Sequence, residues 1–141
     1  MIAIAVAGIV AATLQAQPSP RWPSRAVIAV WLDPRDAPPD AAGLVDRALA
    51  TWSRAAAGRL ALEKATSADA AGIRIRFARA DGIYGEASPR IDRRTGFIGS
   101  AEVVIAGDIA GDAVQQHIVV YLTALHELGH ALGPFAMMNC S

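Results

Sequence analysis

The stretch HELGHALG, from His126 to Gly133, is the most informative part of this sequence. Apolar residues precede it at helical spacing, at positions 114, 118, 122 and 125, and the spacing continues to position 132. Asp112, with Gln115 three residues later, has the pattern of a capping box. The sequence therefore predicts one long helix that begins after Asp112 and ends at Gly133.

Two histidines of this stretch are placed to share a metal ion. His126 and His130 are four residues apart, so on a helix they are offset by about 40° and about 6 Å. Both imidazoles can then reach one Zn²⁺ at about 2.0–2.1 Å. Glu127 lies beside this metal, where its carboxylate can take a proton from a zinc-bound water and pass it to a leaving amine. The pattern predicts His126 and His130 as metal ligands and Glu127 as the catalytic base.

Two other interpretations concern the histidines. His126 and His130 can also be a solvated or hydrogen-bonded pair on a packed helix, without any metal. His117 lies nine residues before His126, which places it about 180° around the helix, so it cannot share the metal. We expect His117 to be a surface histidine.

Composition bounds the class of protein. The chain has 141 residues, of which 53% are hydrophobic and 18% charged, and its formal net charge is zero. This length predicts one domain, and this balance excludes an intrinsically disordered chain. Zero net charge argues against a nucleic-acid partner. Because Cys140 is the single cysteine, an intrachain disulfide or a Cys-rich structural zinc site is excluded.

The N-terminus differs from the rest of the chain. Residues 2–14 are almost purely apolar, which is too short for a membrane-spanning helix but typical of a secretory signal. We expect residues 1–16 to be a signal peptide, with Ala16 the last residue removed. The alternatives are an uncleaved anchor or a buried element of the domain. The signal predicts a secreted or periplasmic protein with no stable membrane span after its removal.

The remaining chain reads as an α+β domain over residues 26–141, after a Pro-rich segment at 17–25. Asp40 is a candidate N-cap for an amphipathic helix at 41–57 that Gly58 closes. The Gly-rich stretch 81–100 is expected to hold only short strands or an irregular edge. Apolar or alternating runs predict strands at 26–32, 60–63, 73–77 and 101–106.

HELGHALG resembles the active-site helix of the metzincin metallopeptidases, most closely the secreted bacterial matrixin-like members. Their pattern is HExxHxxGxxH or HExxHxxGxxD, and Gly133 matches its glycine, where the chain turns back toward the metal. The resemblance implies a twisted, mostly parallel sheet with a long packing helix and the active-site helix. It also implies Zn²⁺ and a peptide or protein substrate bound along an edge strand, for which Tyr84–Ala87 and Phe97–Ser100 are the candidates.

The sequence departs from that pattern after Gly133. The third ligand is expected at position 136, but this chain has Ala136 there. Cys140 is the alternative zinc ligand. Met137 or Met138 resembles a remnant of the methionine turn of the family. We interpret residues 26–141 as a metallopeptidase-like catalytic domain that is truncated at its C-terminus.

Three functions follow from this interpretation. The first is a zinc-dependent endopeptidase with Glu127 as general base. The second is a catalytically impaired secreted domain that binds a peptide or partner without turnover. The third is a structural secreted domain in which the HExxH pattern is accidental.

Overall fold

The computed structural model describes residues 19–134, which form a five-stranded sheet with two helices. The predicted α+β class, with a mostly parallel sheet and two packing helices, is confirmed. The predicted signal peptide and positions 135–141, which include Ala136 and Cys140, lie outside the described residues. In chain order the elements are β1 (Val27–Leu32), α1 (Ala41–Ala56), β2 (Ala61–Lys64), β3 (Ile73–Ala78), β4 (Gly85–Ile91), β5 (Ile98–Ala106) and α2 (Ala113–Leu132). Within residues 19–134 no helix is long and apolar enough to cross a membrane.

The strands are arranged in the order β2-β1-β3-β5-β4. The first four are parallel to one another, and β4 runs antiparallel to β5 at the edge. Alternation along the strands separates the two faces: in β3, Ile75 is fully buried while Arg74 and Arg76 are exposed. The buried face of the sheet shares one core with both helices, as its alternating pattern predicts.

The expectation for residues 81–100 was wrong in one respect. This stretch contains the seven residues of β4 and the start of the nine-residue β5, which begins at Ile98 and not at Ala101. Strand β4 consists mainly of small and polar residues. An edge strand with little side-chain burial does not need an apolar pattern. A proline within a strand is tolerated at such an edge, and Pro89 occupies that position.

Helix α1 begins differently from the prediction. Asp40 stands at the N-cap position, but it has a left-handed backbone (φ 63°) and its side chain makes no capping hydrogen bond. Its Oδ2 instead lies 3.3 Å from Nε2 of His117, which places His117 at the protein surface, away from His126. The prediction of Asp40 as a capping side chain is therefore wrong. At the other end, Ala57 (φ 48°) precedes Gly58 (φ 79°) in the left-handed region and leads the chain out of the helix.

Both ends of α2 follow the prediction. The Asp112 carboxylate accepts a hydrogen bond from the Gln115 backbone N–H, and the Gln115 side chain accepts one from the Asp112 N–H, each at 2.9 Å. The helix ends at Gly133, whose φ of 81° is in the region that favours glycine. A Cβ there would lie 2.7 Å from the Pro20 carbonyl oxygen. Glycine is thus required at position 133 for its backbone and for space.

The motif helix is held against α1 and the chain before β1 by two tryptophans. The Trp52 indole N–H donates to the Leu125 carbonyl at 2.8 Å, and the Trp22 indole N–H donates to the Ala131 carbonyl at 2.9 Å. Gly129 lets the Trp52 ring approach, since a Cβ on Gly129 would lie 2.8 Å from Cζ2 of that ring. The sequence HELGH therefore needs the glycine at its fourth position for packing.

We expect Gly129→Ala and Gly43→Ala to change the free energy of unfolding in opposite directions. The clash with Trp52 costs about 1–3 kcal/mol, which outweighs a gain in helix propensity of up to about 1 kcal/mol. Gly43 lies in α1 with nothing within 4 Å of an added Cβ, so Gly43→Ala should stabilise by about 0.5–1 kcal/mol. Urea denaturation of both variants measures this, and equal stabilisation by the two would contradict the packing described.

Candidate metal centre

His126 and His130 converge on one exposed side of α2. Their Nε2 atoms are 2.9 Å apart, and the two rings meet edge to face with centroids 4.5 Å apart. This geometry follows from the four-residue spacing, which stacks the two side chains one turn apart. The structure therefore brings both sequence-predicted ligands together with the same nitrogen of each ring directed at one point.

This separation fits a shared zinc ion after a small adjustment. Two nitrogens that each lie about 2.0–2.1 Å from a tetrahedral Zn²⁺ are about 3.3 Å apart, compared with the observed 2.9 Å. Both rings are exposed, so a rotation of a few degrees about their side-chain bonds opens the pair without disturbing the core. The donor chemistry, two neutral imidazoles, is also what zinc prefers.

Within residues 19–134 the histidine pair has neither a third ligand nor a hydrogen bond at Nδ1 that orients its rings. Within residues 19–134 no three His, Cys, Asp or Glu side chains converge to hold a metal ion. In that part of the chain the Nδ1 atoms of His126 and His130 have no hydrogen-bond partner that would set their ring orientation. Since such partners orient ligands and strengthen binding, the two histidines alone are expected to hold zinc weakly. The third predicted position, Ala136, lies outside the described residues.

Glu127 lies between the histidines in sequence but points toward the sheet. Its side chain packs against the first residue of β4, where a Cβ on Gly85 would lie 2.7 Å from Cγ and 3.0 Å from Oε1 of Glu127. A side chain at position 85 would displace the carboxylate. Gly85 thus leaves room for Glu127 in the groove that His126 also lines.

Glu127 differs from the other buried acid of the described chain. Asp33 is 5% exposed and is paired with Arg35, whose hydrogen bonds hold the pKa of the Asp33 carboxyl below its usual range. Glu127 is 8% exposed and has no hydrogen-bond or ion-pair partner within residues 19–134. Its oxygens keep contact with solvent, because no side-chain oxygen in that range is both buried and unpaired. The Glu127 carboxylate is therefore open to a ligand in the groove that Glu127 and His126 both line.

Within residues 19–134, β4 forms an edge of the sheet that has no further strand, and this edge runs past the site. The Ala106 N–H donates to the Tyr84 carbonyl at 2.8 Å, which fixes the antiparallel register of β4 on β5. Backbone groups alternate in such a ladder, so those of Gly85, Ala87 and Pro89 point to the open edge. The expectation that Tyr84–Ala87 borders the edge is confirmed. Phe97–Ser100 is not at the edge: β4 pairs on one side, and the Ile98 N–H donates to Arg21 on the other.

Two grooves flank the histidine pair. One, of about 660 Å³, lies at the start of β4 and is lined by Ile83, Tyr84, Leu122, Thr123 and Glu127, among others. The second, of about 320 Å³, lies beyond His130 and is lined by Pro20, Pro89, Ile98, Gly133 and Pro134, among others. Both are mainly apolar. An extended chain along β4 would pass the histidines with an apolar groove on each side.

Comparison with known proteins supports the fold. No protein-family model matches the chain, and no curated protein matches its sequence. Among solved structures, that of myroilysin, a metzincin-type metalloprotease, matches with a TM-score of 0.54 and 21% sequence identity. The match covers 80% of this chain and 50% of the myroilysin chain, so this chain spans about half the length of that protein. The chain thus has a metzincin-like fold.

Sequence reasoning identified the residues on α2 and missed those that position them. The sequence indicates Gly85 only as part of a candidate edge, although it sets the position of Glu127. The hydrogen bond from Trp52 in α1 to α2 has no signature in sequence. A glycine at the start of a candidate strand is a weak signal that a close contact is present.

Removal of either motif histidine should weaken zinc binding, whereas removal of the third histidine should not. We expect His126→Ala and His130→Ala each to weaken binding by at least tenfold, since a single imidazole remains. His117→Ala is the matched control, because His117 contacts Asp40 at the surface. A competitive zinc titration measures this. Equal binding by His126→Ala and the unsubstituted chain would contradict the assignment.

Proposed function

We propose that this chain is a zinc-dependent endopeptidase domain, with His126 and His130 as zinc ligands and Glu127 as the catalytic base. The observation that carries the proposal is the convergence of the two Nε2 atoms at 2.9 Å, with Glu127 in the same groove as His126. The metzincin-like fold and the match with a metalloprotease structure support it.

Each residue has one task in this proposal. When bound, Zn²⁺ supplies Lewis acidity that makes a peptide carbonyl more electrophilic and water more acidic. Glu127 accepts the proton of the attacking water and donates it to the departing amine nitrogen. Its side chain packs against Gly85 and lines the same groove as His126. Because it has no partner within residues 19–134, no hydrogen bond has to be broken before it accepts a proton.

Strand β4 supplies the binding site for the substrate backbone in this proposal. A peptide in extended conformation pairs with the free N–H and C=O groups of Gly85 and Ala87, which adds a strand to the sheet. The position of Pro89 further along the same edge leaves only a carbonyl there. The apolar grooves on each side of the histidines favour a substrate with apolar side chains near the cleaved bond.

A second candidate function is peptide binding without turnover. The sparse surroundings of the histidine pair favour it, since only two ligands converge within residues 19–134. Three protein ligands are the usual arrangement in catalytic zinc sites. The free edge of β4 would bind a peptide in either case. Secretion, inferred from residues 1–16, is part of both proposals.

Substitution of the base separates the two functions. We expect Glu127→Gln to lower the hydrolysis rate of a quenched fluorescent peptide by about 10²–10⁴, since the amide cannot accept the proton. Zinc content should stay the same, because Glu127 is not a ligand. Glu102→Gln is the matched control. Glu102 is exposed on β5 and stands opposite Arg74 of β3 in the strand register.

Two outcomes of this assay would contradict the endopeptidase proposal. Full hydrolysis by Glu127→Gln would remove the carboxylate from the chemistry. A zinc-loaded, unsubstituted chain that binds the peptide but cleaves nothing would support the binding function in its place.

A further inference from the structure

A separate cavity lies behind the motif helix. Its volume is about 340 Å³, which is within the range of small-molecule sites. The apolar part of its wall consists of Trp22, Trp52, Leu60 and Leu132, among other residues. Leu132 follows His130 by two residues and therefore faces about 200° away from it around the helix. The cavity shares Trp52 with the groove at the start of β4, but neither His126 nor His130 lines it.

The charged residues that line this cavity are all basic. Arg25 and Arg59 line it, and none of its lining residues is acidic. The Arg25 backbone N–H donates to the Arg59 carbonyl at 2.8 Å, so the backbones of these two residues are held together. Within residues 19–134 no carboxylate pairs with the Arg25 guanidinium. An apolar cavity with a cationic rim is complementary to a molecule that has an apolar body and one negative charge.

Two of the non-glycine residues that line the cavity have a left-handed backbone conformation. Arg25 (φ 58°) and Ala57 (φ 48°) both line the cavity and have left-handed conformations. Such conformations cost roughly 1–3 kcal/mol for residues other than glycine, and they are found at ligand sites. That of Ala57 also ends α1, whereas Arg25 lies in the turn before β1.

We propose that this cavity binds an apolar monocarboxylate, with the carboxylate at Arg25 and the apolar body between Trp22 and Trp52. The Trp22 indole N–H donates to the Ala131 carbonyl of α2, and the Trp52 indole N–H donates to the Leu125 carbonyl. A ligand here contacts the side chains that position the motif helix, without touching His126 or His130. The site is therefore placed to influence the metal centre from behind. It does not depend on the proposed zinc chemistry.

The test is a titration of the full chain with decanoate, with metals removed by a chelator and tryptophan fluorescence as the readout. Trp22 and Trp52 both line the cavity, so we expect a saturable change in emission at one decanoate per chain. Decanol, with the same apolar body and no charge, should bind at least tenfold more weakly. Equal binding of decanoate and decanol, or no saturable binding of decanoate, would overturn the proposal.

Two variants locate the binding site. Arg25→Asn removes the charge with a residue that tolerates the left-handed backbone, and it should weaken decanoate binding about tenfold while decanol binding is unchanged. Arg93→Asn, in the exposed turn between β4 and β5, is the matched control and should have no effect. Ala56→Phe fills the cavity from α1 and should abolish binding of both compounds. Unchanged decanoate binding in Arg25→Asn, or an equal loss in Arg93→Asn, would place the ligand elsewhere.

Discussion

The position of the motif helix depends on two indole hydrogen bonds and one missing side chain. Trp52 reaches the Leu125 carbonyl because Gly129 leaves room for its ring, and Trp22 reaches the Ala131 carbonyl. The carbonyl of Ala131 lies in the last turn of α2, where it has no partner within the helix. These contacts fix the rotation of α2 on the core. They therefore decide that His126 and His130 face outward.

The second constraint is the close approach of β4 to α2. Gly85 allows the strand to lie directly on Glu127 and Thr123. The carboxylate is thereby held beside the free edge of the sheet, within reach of a chain that pairs with that edge. One contact thus joins the proposed catalytic base to the strand that we propose binds the peptide backbone. Gly85 is therefore required for the contact between β4 and Glu127.

The sequence allowed the motif helix to be predicted to within a residue, because a capping box and a terminal glycine mark its ends. The core strands β1 and β3 were predicted equally well, because β3 alternates strictly between buried apolar residues and exposed arginines. Strand β5 begins three residues before its predicted start. Strand β4 was not, because an edge strand buries little and its residues carry no alternating apolar pattern. The Asp40 prediction was wrong since its carboxylate is near His117, a contact between distant parts of the chain.

The central claim is that zinc binds to the two histidines of α2. Zinc K-edge X-ray absorption of the zinc-loaded full chain tests it most directly, because it counts the imidazoles around the metal. The account predicts two imidazole nitrogens at about 2.0–2.1 Å, and their loss in a His126→Ala, His130→Ala double variant. A spectrum without imidazole scattering, or one that the double substitution leaves unchanged, would contradict it.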